Sequence, residues 1–216
     1  MSATLQLRRR FPALSPGERA ALERRARLLA WTGNAWHLVE FAIAVGAGVA
    51  AGSVALIGFG VDSAIEALAG GVIVWLFSAG RGASAIAERR AQQLVAGSYA
   101  ILVAYIAVEA VRDLAGGHHP QTSWVGVGLA AFTALTMPLL AAAKRRVGRQ
   151  LGSSAAVSEA AQNQICAYLS IALLVGLLAN ALVGWWWADP LAALAIAVIA
   201  AKEGVDSWRG DSCDCC

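Results

Sequence analysis

Charged residues are scarce in this sequence, and that scarcity excludes an ordinary soluble protein. Asp, Glu, Lys and Arg make up 14% of the 216 residues, whereas a soluble domain carries about 25%. Hydrophobic residues account for 58% of the chain. A soluble core of this length could not absorb so many Ala, Leu and Val side chains, so the composition indicates a protein of the lipid bilayer.

Apolar segments of about the 20 residues that a helix needs to cross a bilayer occur six times. The sequence therefore predicts an all-α fold, an integral membrane bundle of six transmembrane helices. The predicted spans are Trp31–Ala51, Val54–Phe77, Leu94–Leu114, Trp124–Ala143, Val157–Val183 and Pro190–Trp208.

The basic residues alternate between the two ends of these spans. They cluster before span one and after spans two, four and six, with Lys144 counted in the cluster after span four. The connections after spans one and five contain no Lys or Arg. By the positive-inside rule both termini are cytoplasmic, and we expect a multi-pass protein of a bacterial inner membrane. Orientation in the bilayer explains the alternation better than nucleic-acid binding, so no nucleic-acid partner is expected.

The chain divides into three predicted parts. Residues 1–30 form a basic amphipathic cytoplasmic arm, in which the segment Ser15–Glu18 has the polar cap, proline and acidic residue of a helix start. Residues 31–208 form the six-span transmembrane domain. Residues 209–216 form a short cytoplasmic tail with three cysteines, where stable disulfides are not expected. Metal capture by this tail and a disordered end are alternatives.

Two carboxylates lie inside span two. Asp62 and Glu66, in the sequence SVALIGFGVDSAIE, are four residues apart and share one face of the helix. Ionised groups are costly in hydrocarbon, and acids at such a depth are usually functional. Two acids on one face supply half of the ligands that a divalent cation needs. A structural polar pair, satisfied by neighbouring helices, is the alternative.

Span five carries a second polar pair with the same spacing. Gln162 and Cys166 are four residues apart in SEAAQNQICAYLS. At about 1.5 Å per residue in two antiparallel helices, Asp62 is expected to lie nearest Cys166 in depth, and Glu66 nearest Gln162. The sequence therefore predicts a metal site of Asp62, Glu66, Cys166 and Gln162 near the bilayer midplane.

The chemistry of these side chains favours a transition metal. The carboxylates supply charge, and a thiolate prefers Zn²⁺ or Cd²⁺ to Mg²⁺ or Ca²⁺. An amide oxygen is a weak ligand, so for Gln162 an interhelical hydrogen bond is an equal alternative. Taken alone, Cys166 would be a small core residue. Protons compete with metal for carboxylates and thiols, and this competition is the physical basis of metal/proton antiport.

These segments resemble the cation diffusion facilitator (cation efflux) family. The resemblance rests on SVALIGFGVDSAIE, on the Q-x-x-x-C of span five and on GWWWADPLAALAIAVIAAKEG, and it covers nearly all of the chain after the arm. It implies six spans, a homodimer, and export of Zn²⁺ or related divalent ions from the cytosol, commonly in exchange for protons. It implies no prosthetic cofactor.

The resemblance also implies which positions hold the metal. Family members carry D-x-x-x-D or H-x-x-x-D on span two, and H-x-x-x-D or D-x-x-x-D on span five. Asp62 and Glu66 match the span-two pair with one conservative change. Gln162 and Cys166 stand where span five would have His and Asp. The chain is also expected to be a short form that lacks the C-terminal cytoplasmic metal-binding domain of many members.

The predicted function is export of a divalent transition metal, Zn²⁺ first, with Cd²⁺, Co²⁺, Fe²⁺ and Mn²⁺ as other candidate substrates. The alternative is a non-transporting metal sensor or partner subunit on a degenerate transporter core. An enzyme is not expected, because a Cys nucleophile needs a base beside it and span five contains no His. His37 and Glu40 are expected to be solvated near the inner end of span one, with a part in the cytoplasmic entrance as the alternative. Glu159 and Asn163 are candidates for an entry or supporting role at the site.

Overall fold

The computed structural model describes residues 15–78, 85–117 and 119–209, and most of these residues are helical. None of the described residues lies in a strand, so the predicted all-α fold is confirmed. The helices are α1 (Pro16–Ala51), α2 (Val54–Ser78), α3 (Ala85–Gly116), α4 (Trp124–Leu151), α5 (Ser154–Val183) and α6 (Ala188–Arg209). The three cysteines of the tail lie outside the described residues.

Each helix corresponds, in order, to one predicted span. Within the described ranges, α1, α4 and the Glu159–Val183 part of α5 are long and apolar enough to cross a membrane. The other three helices, α2, α3 and α6, have 25, 32 and 22 residues. They also exceed the length of about 20 residues that a crossing requires. The fold is an all-α membrane bundle.

Helix α1 begins at the predicted start. Ser15 Oγ accepts a hydrogen bond from the Glu18 amide at 3.3 Å, and the Ser15 amide donates to Glu18 Oε2 at 2.9 Å. The hydrogen bonds from Ser15 hold the pKa of the exposed Glu18 carboxyl below its usual value. The helix then runs unbroken for 36 residues, about 54 Å, so that the arm from Pro16 onward and span one are one rod. Its N-terminal part packs through Ala26 against Val147 and Leu151 of α4.

Helix α2 lies at the centre of the bundle, because it contacts α1, α3, α5 and α6. One apolar core includes the buried side chains of Leu56 and Phe59 from α2, Leu173 from α5 and Ile196 from α6. A polar side chain that α2 turns toward this core is removed from water and needs a polar partner on another helix. The position of α2 therefore decides which helices can complete the site.

Small residues bring α1 and α2 close together. A Cβ atom at Gly48 would lie 2.7 Å from Ile57 Cγ1 and 2.9 Å from the Ile57 backbone nitrogen. A Cβ atom at Gly60 would lie 2.8 Å from a methyl group of Val45. Glycines at helix contacts allow such an approach of two backbones in a membrane bundle. The side chains that α1 and α2 turn inward are consequently near neighbours.

Asp189 links the start of α6 to the start of α2. The sequence Asp189-Pro190 is typical of an N-cap followed by the first residue of its own helix. In the structure Asp189 already lies in the first turn of α6 and is buried. Ser53 Oγ donates to Asp189 Oδ1 at 2.5 Å, and the Ala55 amide donates to Asp189 Oδ2 at 3.3 Å. Asp189 therefore caps α2, whose first amides have no partner inside their own helix.

We expect Gly48→Ala to destabilise the bundle and Gly46→Ala to leave it unchanged or more stable. An added methyl group at Gly48 meets the backbone of α2, whereas no atom lies within 4 Å of one added at Gly46. The overpacking at Gly48 should cost about 1–3 kcal/mol. Thermal unfolding of both variants in one detergent measures the difference. Equal melting temperatures would contradict the close approach of α1 and α2.

Candidate metal centre

Three buried side chains from three helices converge in the interior of the bundle. They are His37 of α1, Glu66 of α2 and Cys166 of α5, and one potential ligand atom of each lies within 4.8 Å of the other two. Each side chain is removed from solvent, with residue exposures of 1%, 5% and 0%. Among the His, Cys, Asp and Glu residues that the structure describes, these three have ligand atoms close enough to one another to hold one metal ion.

The Glu66 carboxylate lies between the other two side chains. Its Oε2 atom is 3.3 Å from His37 Nδ1, and the Cys166 sulfur lies within 4.8 Å of a ligand atom of each of the other two side chains. Oε2 accepts no hydrogen bond from any described residue. A buried carboxylate oxygen without a donor is costly, and such an atom calls for an explanation. This oxygen is available to a cation.

Glu40, on the same face of α1 as His37, is already satisfied. Its Oε2 accepts from Ser63 Oγ at 2.9 Å and lies 3.4 Å from His37 Nδ1, while Thr133 Oγ1 donates to Oε1. The expectation that His37 and Glu40 are solvated was wrong. Both are fully enclosed, because α2 and α4 pack over this face of α1. Glu40 therefore serves as an anchor for hydroxyl groups on both neighbouring helices.

Asp62 and Gln162 lie beside this group of three rather than in it. Together with Glu66 they line a narrow cleft between α2, α5 and α6. Asp62 is buried, and Gln162 is half-buried. The cleft also contains the Tyr99 ring and the Glu203 carboxylate, an acidic group that the sequence reasoning missed.

The predicted partner of the Cys166 sulfur, Asp62, is one helical turn away from the residue that approaches it in the structure. Glu66 is brought to Cys166, while Asp62 lines the cleft, which Glu66 and Gln162 also line. One helical turn is about 5.4 Å, which is within the error of span boundaries read from hydropathy. The convergence of α2 and α5 is present, with a different partner for the sulfur.

A buried ion pair lies next to the group of three. Lys144 Nζ donates to Glu159 Oε1 at 2.6 Å and to Asn163 Oδ1 at 2.7 Å. The Asn163 amide nitrogen lies 2.9 Å from His37 Nε2. Lys144 is only 5% exposed, so its placement in the connection after span four was wrong. It lies inside α4, where its ammonium group is paired with a carboxylate on α5.

His37 is the functional candidate that sequence reasoning missed. The signal was present, since His37 and Glu40 interrupt an otherwise apolar stretch with a spacing of three residues. That spacing places both on one face of a helix. Only the orientation of this face toward α2 distinguishes a buried pair from an interfacial one, and the orientation was not predictable from one helix alone.

The group of three offers one nitrogen, one oxygen and one sulfur atom. Imidazole and thiolate suit Zn²⁺ and its neighbours in the first transition series, whereas Mg²⁺ and Ca²⁺ prefer oxygen alone. Three protein ligands with an open fourth position are typical of a site whose metal exchanges ligands. The donor set therefore fits a borderline divalent transition metal.

Comparison with known proteins finds a family model and a curated relative that this chain resembles. The family model of the cation efflux transmembrane domain matches residues 35–209, which is most of the chain. The magnetosome protein MamB of Magnetospira sp. (strain QH-2) is 32% identical over 102 residues, which are 47% of this chain and 34% of that protein. The chain thus matches about a third of the length of this relative.

We expect Lys144→Met to lower the free energy of unfolding by about 3–5 kcal/mol, because it leaves the Glu159 carboxylate buried without a cation. The second substitution Glu159→Gln should restore much of this loss. Lys202→Met, at an exposed position of α6, is the matched control. Thermal unfolding in detergent compares the three variants with the unmodified chain. A double variant no more stable than Lys144→Met would contradict the pairing.

Proposed function

Because the chain belongs to the cation efflux family, we propose that it exports divalent transition-metal cations, with Zn²⁺ as the first candidate, through a site between α2 and α5. The observation that carries this proposal is the buried convergence of Glu66 with Cys166, beside a cleft lined by Asp62 and Gln162. Membership of the family supports the transport of cations. The four side chains support a transition metal as the cation, because they offer donor atoms that such metals bind.

The four side chains have different roles in the proposal. Glu66 and Cys166 contact the metal directly, since their donor atoms are adjacent. Asp62 lies one turn away on the same face of α2 and supplies a second negative charge, which offsets the dehydration cost of a dication. Gln162 offers a neutral oxygen at the partly exposed side of the cleft, where an ion arrives or leaves.

Metal exchanges with protons at this site. A thiol and a carboxylic acid must lose their protons before they bind a metal ion, so binding releases protons and protonation releases metal. If the site opens alternately to the two sides of the membrane, this competition couples metal export to proton entry. The proposal includes a homodimer in a bacterial inner membrane with both termini cytoplasmic, supported by the family resemblance and by the alternation of basic residues.

We expect Asp62→Ala to abolish transport without preventing membrane insertion. Purified protein in liposomes that contain a zinc-sensitive dye would be assayed with and without a pH gradient. Asp206→Ala, near the inner end of α6 and outside the cleft, is the matched control and should transport at the rate of the unmodified chain. Transport by Asp62→Ala at that same rate would refute the role of Asp62. Binding without flux in the unmodified chain would favour a sensor instead of an exporter.

Replacing the sulfur donor should change the metal preference. We expect Cys166→Asp to lower the transport of Cd²⁺ and Zn²⁺ relative to Mn²⁺, because an oxygen donor replaces the soft thiolate. Transport rates of Zn²⁺, Cd²⁺, Co²⁺, Fe²⁺ and Mn²⁺ in the same liposomes give the order of preference for the unmodified chain and the variant. An unchanged order would show that Cys166 does not contact the transported ion.

A further inference from the structure

We propose that His37 of α1 is a third ligand of the metal site, and that Asn163 and Lys144 control which nitrogen of its ring is free to bind. The inference rests on the proposed function of the site between α2 and α5, and it extends the site to a third helix. It assigns a ligand to a position that sequence reasoning placed in solvent.

The geometry selects Nδ1 as the ligand atom. His37 Nδ1 is 3.3 Å from Glu66 Oε2, whereas Nε2 points away from the carboxylates and lies 2.9 Å from the Asn163 amide nitrogen. One ligand atom of each of His37, Glu66 and Cys166 lies within 4.8 Å of the other two. Atoms separated by such distances can all approach one metal ion at about 2.0–2.3 Å after small side-chain rotations.

The two nearby carboxylates can be told apart by their hydrogen bonds. Glu40 receives hydroxyl groups from Ser63 and Thr133, so its oxygens are occupied. Glu66 Oε2 accepts no hydrogen bond from the described residues, although Glu66 is 95% buried. The inferred ligand set is therefore His37 Nδ1, Glu66 Oε2 and Cys166 Sγ. Glu40 instead holds the α1 face in position.

Lys144 determines how the Asn163 amide is oriented. An ammonium group can only donate, so the atom of Asn163 that lies 2.7 Å from Lys144 Nζ must be the carbonyl oxygen. The amide NH₂ group is then directed at His37 Nε2 and donates to it. Since Nε2 accepts, a neutral ring carries its proton on Nδ1, whose hydrogen-bond partner is Glu40 Oε2 at 3.4 Å. In this arrangement the ligand atom is protonated.

Metal binding at Nδ1 therefore requires a rearrangement of this chain of hydrogen bonds. The neutral ring must carry its one proton on Nε2, which then needs an acceptor. Asn163 supplies that acceptor when its amide turns over, and its NH₂ group would then face Lys144, which is also a donor. Lys144 must consequently release Asn163 and remain with Glu159 alone. Occupation of the site and the contact between Lys144 and Asn163 exclude each other.

Co²⁺ absorption spectroscopy tests the ligand directly. The probe is CoCl₂ added to the full-length chain in detergent, with Cys213, Cys215 and Cys216 replaced by serine so that Cys166 is the single thiol. A thiolate-to-cobalt charge-transfer band reports binding at Cys166, and competition by Zn²⁺ gives its affinity. We expect His37→Gln to weaken binding by about tenfold or more, as loss of a ligand or of its support does. His119→Gln, at an exposed histidine beside Trp186, is the matched control and should bind as before.

Two conservative changes separate ligation from a purely structural role. His37→Cys should restore binding with a stronger charge-transfer band, because a second sulfur atom contacts the cobalt. Asn163→Asp should tighten binding, because a carboxylate can accept from Nε2–H and from Lys144 at the same time. Asn163→Leu should weaken binding while circular dichroism confirms a folded chain.

The outcomes distinguish the inference from the function on which it rests. A Cys166-dependent cobalt band that His37→Gln leaves unchanged in both affinity and intensity would overturn the inference and leave the site between α2 and α5 intact. Equal affinities for Asn163→Asp and Asn163→Leu would overturn the part assigned to Asn163 and Lys144. No cobalt band in the unmodified site would overturn the proposed function together with the inference.

Discussion

An ionisable side chain inside an apolar bundle must find a polar partner, because neither lipid nor a hydrocarbon core can solvate it. This requirement organises the interior of the protein. The Glu40 carboxylate joins α1 to α2 and α4 through the hydroxyl groups of Ser63 and Thr133, and Lys144 joins α4 to α5 through Glu159. These contacts fix the relative positions of the helices that surround the candidate metal site. The pairing of buried polar groups therefore determines the geometry of the site.

One oxygen among these groups does not meet the requirement within the described residues. Glu66 Oε2 is enclosed by the imidazole of His37 and the Cys166 thiol, yet it accepts no hydrogen bond. A polar network in which every group has a partner would be a structural feature. A buried acceptor that lacks a donor inside such a network is typical of a binding site. This difference is what favours a transported cation over a structural polar pair in the membrane.

Sequence patterns predicted the features that depend on composition and spacing. Hydropathy predicted the six apolar segments. The capping residues predicted the helix start at Ser15, and the four-residue spacing of two polar pairs predicted the convergence of α2 with α5. What sequence patterns could not supply is the rotation of each helix about its own axis. That rotation buries His37 and Lys144 and turns Asp189 toward α2. The pairing of Glu66 with Cys166 in place of Asp62 reflects in addition a shift of about one turn along the helix axes.

The continuity of α1 has a mechanical consequence. The same unbroken rod carries basic residues near its N-terminal end and His37 about 32 Å from its first residue. A helix without a break transmits a tilt from one end to the other, and the lower end of this one rests on α4 through a small apolar patch around Ala26. Any partner, lipid headgroup or second subunit that shifts this end of α1 therefore also displaces the His37 imidazole at the other part of the helix.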